Sequence, residues 1–363
     1  MERVPGLKLG MVGLPQSGKR TVFSLLTGSD YSSLAGEHKK NVQGVASVRD
    51  GRFSELVKMH NPKKVTPAQL SMELLPDLDP QRIKDGEVFR DIANLNAICM
   101  VIRAFEDDAV YHVKGSVDAG RDMDLLYSEF VLHDLLFIEK RLARIEQSKK
   151  KGREEDLDKE KKLMERLGAN LENDLPLSTC QMDQDEWRII SGYPFITLKE
   201  LIVLLNVGDS ELLDDSLESS IRDKYSDHGI EVMRVSAALE SEIASLDDPQ
   251  ERAVFMEESG IQEPAIDLLT RKSMKALGLE SFFTVGEDEV RQWLIPANCP
   301  APEAASVIHS DIQRGFIRAE VMKYDDLVGL GSEEAVKAAG KFLTAGKDYI
   351  VQDGDVISFR FNV

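Results

Sequence analysis

The stretch Gly13-Leu14-Pro15-Gln16-Ser17-Gly18-Lys19-Arg20-Thr21 has the residue types and spacing that bind phosphate. Two glycines separated by four residues let backbone N–H groups curl around an anion, and the lysine after the second reaches outer phosphates. A helix beginning there adds the partial positive charge of its N-terminus. The context fits. Leu7-Lys8-Leu9-Gly10-Met11-Val12 reads as a short buried strand, and Val22-Phe23-Ser24-Leu25-Leu26 as the first turns of a helix.

One position departs from the pattern. In a magnesium-dependent site the residue after the lysine is Ser or Thr, whose hydroxyl binds the metal. Here it is Arg20, and Thr21 comes one place late. A guanidinium has only donors and cannot coordinate a cation. Two readings stand. Arg20 is a tolerated surface substitution, or it marks a nucleotide site that has lost its metal ligand and uses the guanidinium for part of the metal's charge.

The elements that position this loop follow from apolar patterning. Short apolar segments at Leu7–Val12, Val45–Val48, Leu70–Leu75 and Ala97–Ile102 are separated by helical or loop stretches, and Leu201–Val207 and Glu231–Val235 continue the series. Strands alternating with helices predict an α/β domain with a mostly parallel sheet. Between Arg121 and Leu171 the period changes. Val131, Leu135, Ile138, Leu142 and Ile145 form a heptad seam, and Leu157, Met164, Leu167 and Leu171 continue it on a second helix. Ser148-Lys149-Lys150-Lys151-Gly152-Arg153 between them predicts two antiparallel helices joined at a basic tip.

The last region begins near Phe282. It carries strand-like segments at Trp293–Pro296, Gly315–Val321 and Asp348–Val351, with a final alternating run over Asp353–Phe361. A helix is expected over Ser332–Ala345, started by Ser332 and stopped by Gly346. Strands around one helix suggest a small β-grasp module. Phe316 and Arg318 fall on one face by alternation, so one cannot be core and the other exposed without a twist or an edge.

Composition narrows the classes. The 363 residues allow two or three domains. No apolar run approaches the length of a membrane span, and nothing at the N-terminus resembles a secretory signal. Cys99, Cys180 and Cys299 make neither a disulfide framework nor a zinc pattern, which fits a reducing cytoplasm. A net charge of −19 disfavours unselective nucleic-acid binding, although Lys39-Lys40, Lys63-Lys64 and Lys149-Lys150-Lys151 are local basic clusters.

Taken together the chain resembles the YchF-type Obg-like ATPases, a branch of the P-loop GTPases. The resemblance runs nearly end to end. It is carried by Gly13-Leu14-Pro15, Arg103-Ala104-Phe105-Glu106-Asp107, His112-Val113-Lys114-Gly115 and, most densely, Ile308-His309-Ser310-Asp311, Arg314–Glu320 and Gly346–Asp355. It implies an α/β P-loop NTPase domain over 1–120 and 190–281, an inserted helical hairpin (coiled coil) over 121–189, and a C-terminal ubiquitin-like TGS domain of β-grasp type over 282–363. It also implies cytoplasmic work near the ribosome or RNA, with ATP bound at least as well as GTP. The family reads the base with N-x-x-E, matched here by Asn206-Val207-Gly208-Asp209; the acid is Asp209, which leaves some guanine recognition open. Ser236-Ala237-Ala238 resembles the loop that closes over the base. The nucleotide site implied is therefore Gly13 to Thr21, Asn206, Asp209, Ser236 and Ala237.

Three departures from the family concern the chemistry. Arg20 replaces the metal-binding hydroxyl. The first switch reads Glu37-His38-Lys39-Lys40-Asn41, without a threonine. The second reads Leu74-Leu75-Pro76-Asp77 where D-I-A-G is expected. Asp77 or Asp79 is either a displaced metal ligand or a turn residue beside proline. Losing these groups together predicts weak or impaired hydrolysis with doubtful Mg2+, since phosphoryl transfer depends on neutralising charge. The alternative is a non-enzymatic scaffold acting through the hairpin and TGS surfaces. His112 and His309 read as structural, neither having an adjacent acid-and-nucleophile set.

Overall fold

The computed structural model describes residues 7–32, 40–149, 155–261 and 263–362. Glu37-His38-Lys39 of the first-switch stretch and Lys150-Lys151-Gly152-Arg153 of the hairpin tip lie outside the described residues.

Twelve strands are present among these residues: β1 (Lys8–Val12), β2 (Val42–Ser47), β3 (Lys64–Thr66), β4 (Gln69–Leu74), β5 (Ala97–Arg103), β6 (Glu200–Asn206), β7 (Glu231–Val235), β8 (Leu279–Thr284), β9 (Glu289–Pro296), β10 (Phe316–Lys323), β11 (Leu343–Ala345) and β12 (Asp355–Phe361). They form two six-stranded sheets, ordered β2-β4-β1-β5-β6-β7 and β11-β10-β12-β8-β9-β3. The described residues fall into two compact units, one within 9–44 and 72–265, the other mainly within 45–71 and 266–363.

In the first unit β5 pairs in parallel with β1 and β6, and β6 with β7. β5 is buried at every position and β6 at all but Glu200. Strands covered on both faces read as continuous apolar runs, which is how these two appear in the sequence. The register sets Arg103 beside Asn206, and Asn206 beside Val235, so three strands end at one level. The loops leaving those carboxyl ends are where open α/β sheets hold ligands.

The long helix Ala119–Lys149 and the helix Glu155–Glu172 run antiparallel. Ile138 lies against Gly168 and Arg141 pairs with Glu160, so partner numbers advance in opposite senses. Of the expected seam, Val131, Ile138, Ile145, Met164, Leu167 and Leu171 are buried; Leu135, Leu142 and Leu157 are half-buried. Asp134 ties the long helix to the residues entering β6. Its enclosed carboxylate accepts from Ile196 N at 2.9 Å, Thr197 N at 2.8 Å and Thr197 Oγ1 at 2.7 Å. A buried carboxylate needs that many donors to offset its lost hydration.

The second unit differs from the sequence expectation in four respects. Residues 45–71, read as part of the nucleotide-binding segment, belong to this unit, where β3 pairs in parallel with β9. β8 begins at Leu279, ahead of the expected start near Phe282. The helix expected over Ser332–Ala345 spans only Glu333–Ala338, capped by Ser332 as anticipated. Gly340, with φ +69°, turns the chain, and Leu343–Ala345 pairs with β10 instead. Asp348–Val351 supplies one isolated bridge, Pro300 to Ile350, rather than a strand. Phe316 is 6% exposed and Arg318 51%. A register shift between them against β12 supplies the twist that alternation alone lacks.

Among the described residues no helix is long and apolar enough to cross a membrane. Cys99 is enclosed in β5, and burial pushes its thiol up to about 12.

Candidate functional site

Gly13 to Gly18 follow β1 as a turn, and the helix Lys19–Thr27 starts directly after it. Two glycines are required by space. A Cβ on Gly13 would lie 2.5 Å from Val101 O, and one on Gly18 would lie 2.1 Å from Asn206 Nδ2. Gly18 also has φ +86°, the left-handed region that side chains resist. Gln16 adopts φ +60° at the crest of the turn.

Asn206 acts as a strut. Its Nδ2 donates to Ser17 O at 3.1 Å and its Oδ1 accepts from Ala237 N at 3.0 Å. One side chain at the end of β6 thus joins the glycine turn to the loop after β7. Ser236 caps the helix Ala237–Ser245 and donates its hydroxyl to Asp209. Gly18, Thr21, Asn206, Asp209, Ser236 and Ala237 line one cleft of about 920 Å3. Of the residues expected in the site, these six are brought together around it. Gly13 to Ser17 form the turn behind it, and the side chains of Lys19 and Arg20 are turned toward Asp77.

Phe105, Glu106 and Asp107 make a further wall of the cleft. Buried Arg103 holds that loop by donating to Phe105 O at 3.1 Å and Val110 O at 2.9 Å, with its guanidinium 4.5 Å from the Phe105 ring centroid. Sequence patterning assigns Arg103 no role of its own. A lone arginine at the end of an apolar strand was the available signal, because such a charge must find partners.

The main correction concerns Asp77. Leu75 N donates to Met11 O and Leu78 N to Gly13 O, both at 3.0 Å, which lays the segment after β4 against the glycine turn. Asp77 thereby reaches Lys19 and Arg20 at once. Its carboxylate pairs with Lys19 Nζ and accepts from Arg20 Nη2 at 3.2 Å. Lys19 also contacts Gly13 O at 3.3 Å and is 2% exposed. Asp77 is therefore the counter-ion of both cations, a role that neither reading of the sequence assigned to it. Asp79 is a turn residue, capping the helix Pro80–Asp85 by accepting from Gln81 N and Arg82 N. Burial lowers Lys19 to about 8 despite the Asp77 charge, with Arg20 and Arg82 pushing the same way. For Asp77, burial alone would raise the carboxyl, but Lys19 and Arg20 outweigh it and hold it below its ordinary value.

The residues at the usual metal position do not fit magnesium. Arg20 is a cation there, and the nearest acid is neutralised by two cations. Among the described residues no group of three or more His, Cys, Asp or Glu could hold a metal ion. Among the described residues Ser17 Oγ and Arg20 Nε are buried without hydrogen-bond partners. Asn41 donates to buried Glu73 at 2.9 Å.

His112 has an adjacent acid but no nucleophile among its partners in the described residues. Its Nε2 lies 2.9 Å from buried Asp122, and its Nδ1 accepts from Lys114 N. His309 caps the helix Ser310–Arg314 through Asp311 N.

The family model YchF-GTPase_C, described as a protein of unknown function (DUF933), matches residues 279–362. The chain is 38% identical to the "Ribosome-binding ATPase YchF" of Pasteurella multocida, over 99% of this chain and 100% of that one. It is 36% identical to the protein of that name from Bacillus subtilis, over 98% and 100%. It is 35% identical to "Obg-like ATPase 1" of Caenorhabditis elegans, over 98% and 92%. The solved structure of the Schizosaccharomyces pombe YchF GTPase superposes with a TM-score of 0.82 at 27% identity, covering 99% of this chain and 100% of that one. The fold is that of a P-loop NTPase with a further C-terminal domain, and the chain belongs to the YchF family.

Proposed function

We propose that this protein is a ribosome-associated, cytoplasmic nucleotide-binding protein in which Lys19 and Arg20 bind the phosphates of ATP or GTP without magnesium, and in which hydrolysis is slow. The observation that carries this reading is the shared hold of Lys19 and Arg20 on Asp77. A buried lysine and a half-buried arginine converge on one carboxylate where a lysine and a metal would otherwise share the phosphates, and a phosphate offers charge of the same sign and the same kind of oxygen acceptors. The names of the curated relatives, a ribosome-binding ATPase and an Obg-like ATPase, support the nucleotide and the ribosome as ligands.

In this reading the cleft beside Gly18 and Asn206 takes the nucleoside, and Asp209, already held by Ser236, faces the base. Gly13 to Thr21 take the phosphates. The nucleotide-binding work falls to residues drawn from 1–120 and 190–281. The helical hairpin of 121–189, a short coiled coil, and the TGS-like domain of 282–363 meet the ribosome or its RNA. Slow turnover follows from charge. The hydroxyl, the switch threonine and the switch acid that neutralise a transferring phosphoryl are replaced by Arg20, by a stretch lacking threonine, and by Leu74.

Calorimetric titration with ATP and with GTP, each with and without magnesium, tests the proposal together with a turnover assay. Binding that magnesium changes little, with turnover orders of magnitude below that of a metal-dependent relative assayed alongside, is expected. Turnover equal to that relative would overturn the impaired-hydrolysis reading. No binding at millimolar nucleotide would leave a scaffold.

The state of Lys19 gives a second expectation. Its ammonium is lowered to about 8, and a phosphate bound beside it favours the charged form and raises that value. Between the two values, binding takes up a proton, so affinity for ATP falls as pH rises through about 8. Titrations on either side of that pH, in buffers of different ionisation heat, measure the uptake. A flat affinity without proton uptake would remove Lys19 from the phosphates.

A further inference from the structure

A groove of about 670 Å3 lies between the segment Leu78–Phe89 and the long helix Ala119–Lys149, and it shares no lining residue with the cleft at the strand ends. Its floor is apolar: Leu14, Leu78 and Phe89 are buried there. Its wall is the long helix. Leu132 and Leu136, one turn apart, are 49% and 43% exposed, whereas Val131, Ile138 and Ile145 of the same helix are buried. Large apolar side chains left in water at i and i+4, above an apolar floor, offer the surface that an amphipathic helix covers.

The rim says which helix. Lys84, Lys114 and Lys140 are exposed around the groove, and Glu129 is the acid that faces them. Among the described residues none of the three lysines has an ion-pair partner. On a chain of net charge −19 this local excess of cations runs against the overall balance and complements an acidic ligand. An RNA strand would also meet the lysines, but the rings that line the groove are engaged, Phe89 with Phe130 and His133 and Phe137 with Tyr193 and Phe195, and Phe89 is buried, so they present no open platform on which bases stack.

We infer that this groove docks an amphipathic helix of a partner protein, with apolar residues at i, i+4 and i+7 seated over Leu132 and Leu136 and acidic residues on its flanks facing the three lysines.

The full-length protein can be panned against displayed amphipathic helices about 18 residues long, with leucine fixed on one face and flanking positions varied among Glu, Lys and Gln. Enrichment for Glu is expected. A labelled peptide from the enriched pool should bind with a Kd on the order of micromolar and lose about tenfold or more in affinity with Leu132→Glu/Leu136→Glu. Lys84→Glu/Lys140→Glu should weaken it similarly while favouring a Lys-flanked peptide. All four side chains are exposed, so thermal melts of both variants should match the parent. Absence of binders, enrichment for Lys, affinity indifferent to either double substitution, or displacement of the peptide by an RNA duplex through these lysines would each overturn the inference.

Discussion

Asp77→Asn is expected to tighten metal-free ATP binding by about tenfold or more while lowering the stability of the nucleotide-free protein. Both effects come from one carboxylate. It occupies Lys19 and Arg20, so an incoming phosphate must displace it, and an amide of the same shape competes less well for two cations. Without nucleotide, the same change leaves the buried Lys19 ammonium without a counter-charge. Breaking a fully enclosed ion pair costs about 3–5 kcal/mol, and a smaller loss of about 2–3 kcal/mol is expected here because Asp77 is 18% exposed. Calorimetric titration and denaturant unfolding read the two effects separately, and Asp77→Ala guards against a residual amide contact. Unchanged affinity in both variants would mean that the phosphates do not use the cations that Asp77 holds. Weaker affinity would make Asp77 a contributor to the bound state.

What made Asp77 hard to find in the sequence is also what makes it informative. Its partners lie 58 and 57 residues earlier, and nothing in the local pattern Leu75-Pro76-Asp77-Leu78 distinguishes an ion-pair partner from a turn acid. Contacts encoded locally were legible. The glycine turn was readable because spacing and flanking apolar runs specify it, and β5 and β6 because burial on both faces leaves an unbroken apolar string. The hairpin seam was readable because heptads declare which face is covered. Pairings of short, polar segments were not. Lys64–Thr66 carries no alternation, and its pairing with β9 depends on residues more than two hundred positions away. The alanine-rich run after Ser332 has helix propensity throughout, yet Gly340 and the β10 edge divert it into a strand. In the cleft, Asn206 and Ser236 were found by motif, but the use of Asn206 as a strut follows only from the register that sets β6 beside β7.

Arg20→Ser probes the other half of the phosphate site and should exchange one kind of cation for another. Without magnesium, ATP binding is expected to weaken by about tenfold to a hundredfold, the scale of losing charge-assisted hydrogen bonds. With magnesium, part of that loss should return, because the new hydroxyl stands where P-loop proteins place their metal ligand. The parent protein should show little response to magnesium, its guanidinium already filling the position and repelling a divalent ion. Turnover should stay slow in the variant. Restoring one ligand does not restore the switch acid, since Leu74 has no charge to offer and Asp77 would remain on Lys19. Binding and hydrolysis therefore separate in this variant, and that separation distinguishes a phosphate-holding arginine from an inert surface one. If Arg20→Ser bound metal-free ATP as tightly as the parent, Arg20 would be a partner of Asp77 alone, and Lys19 with the glycine turn would have to account for the whole of the phosphate affinity.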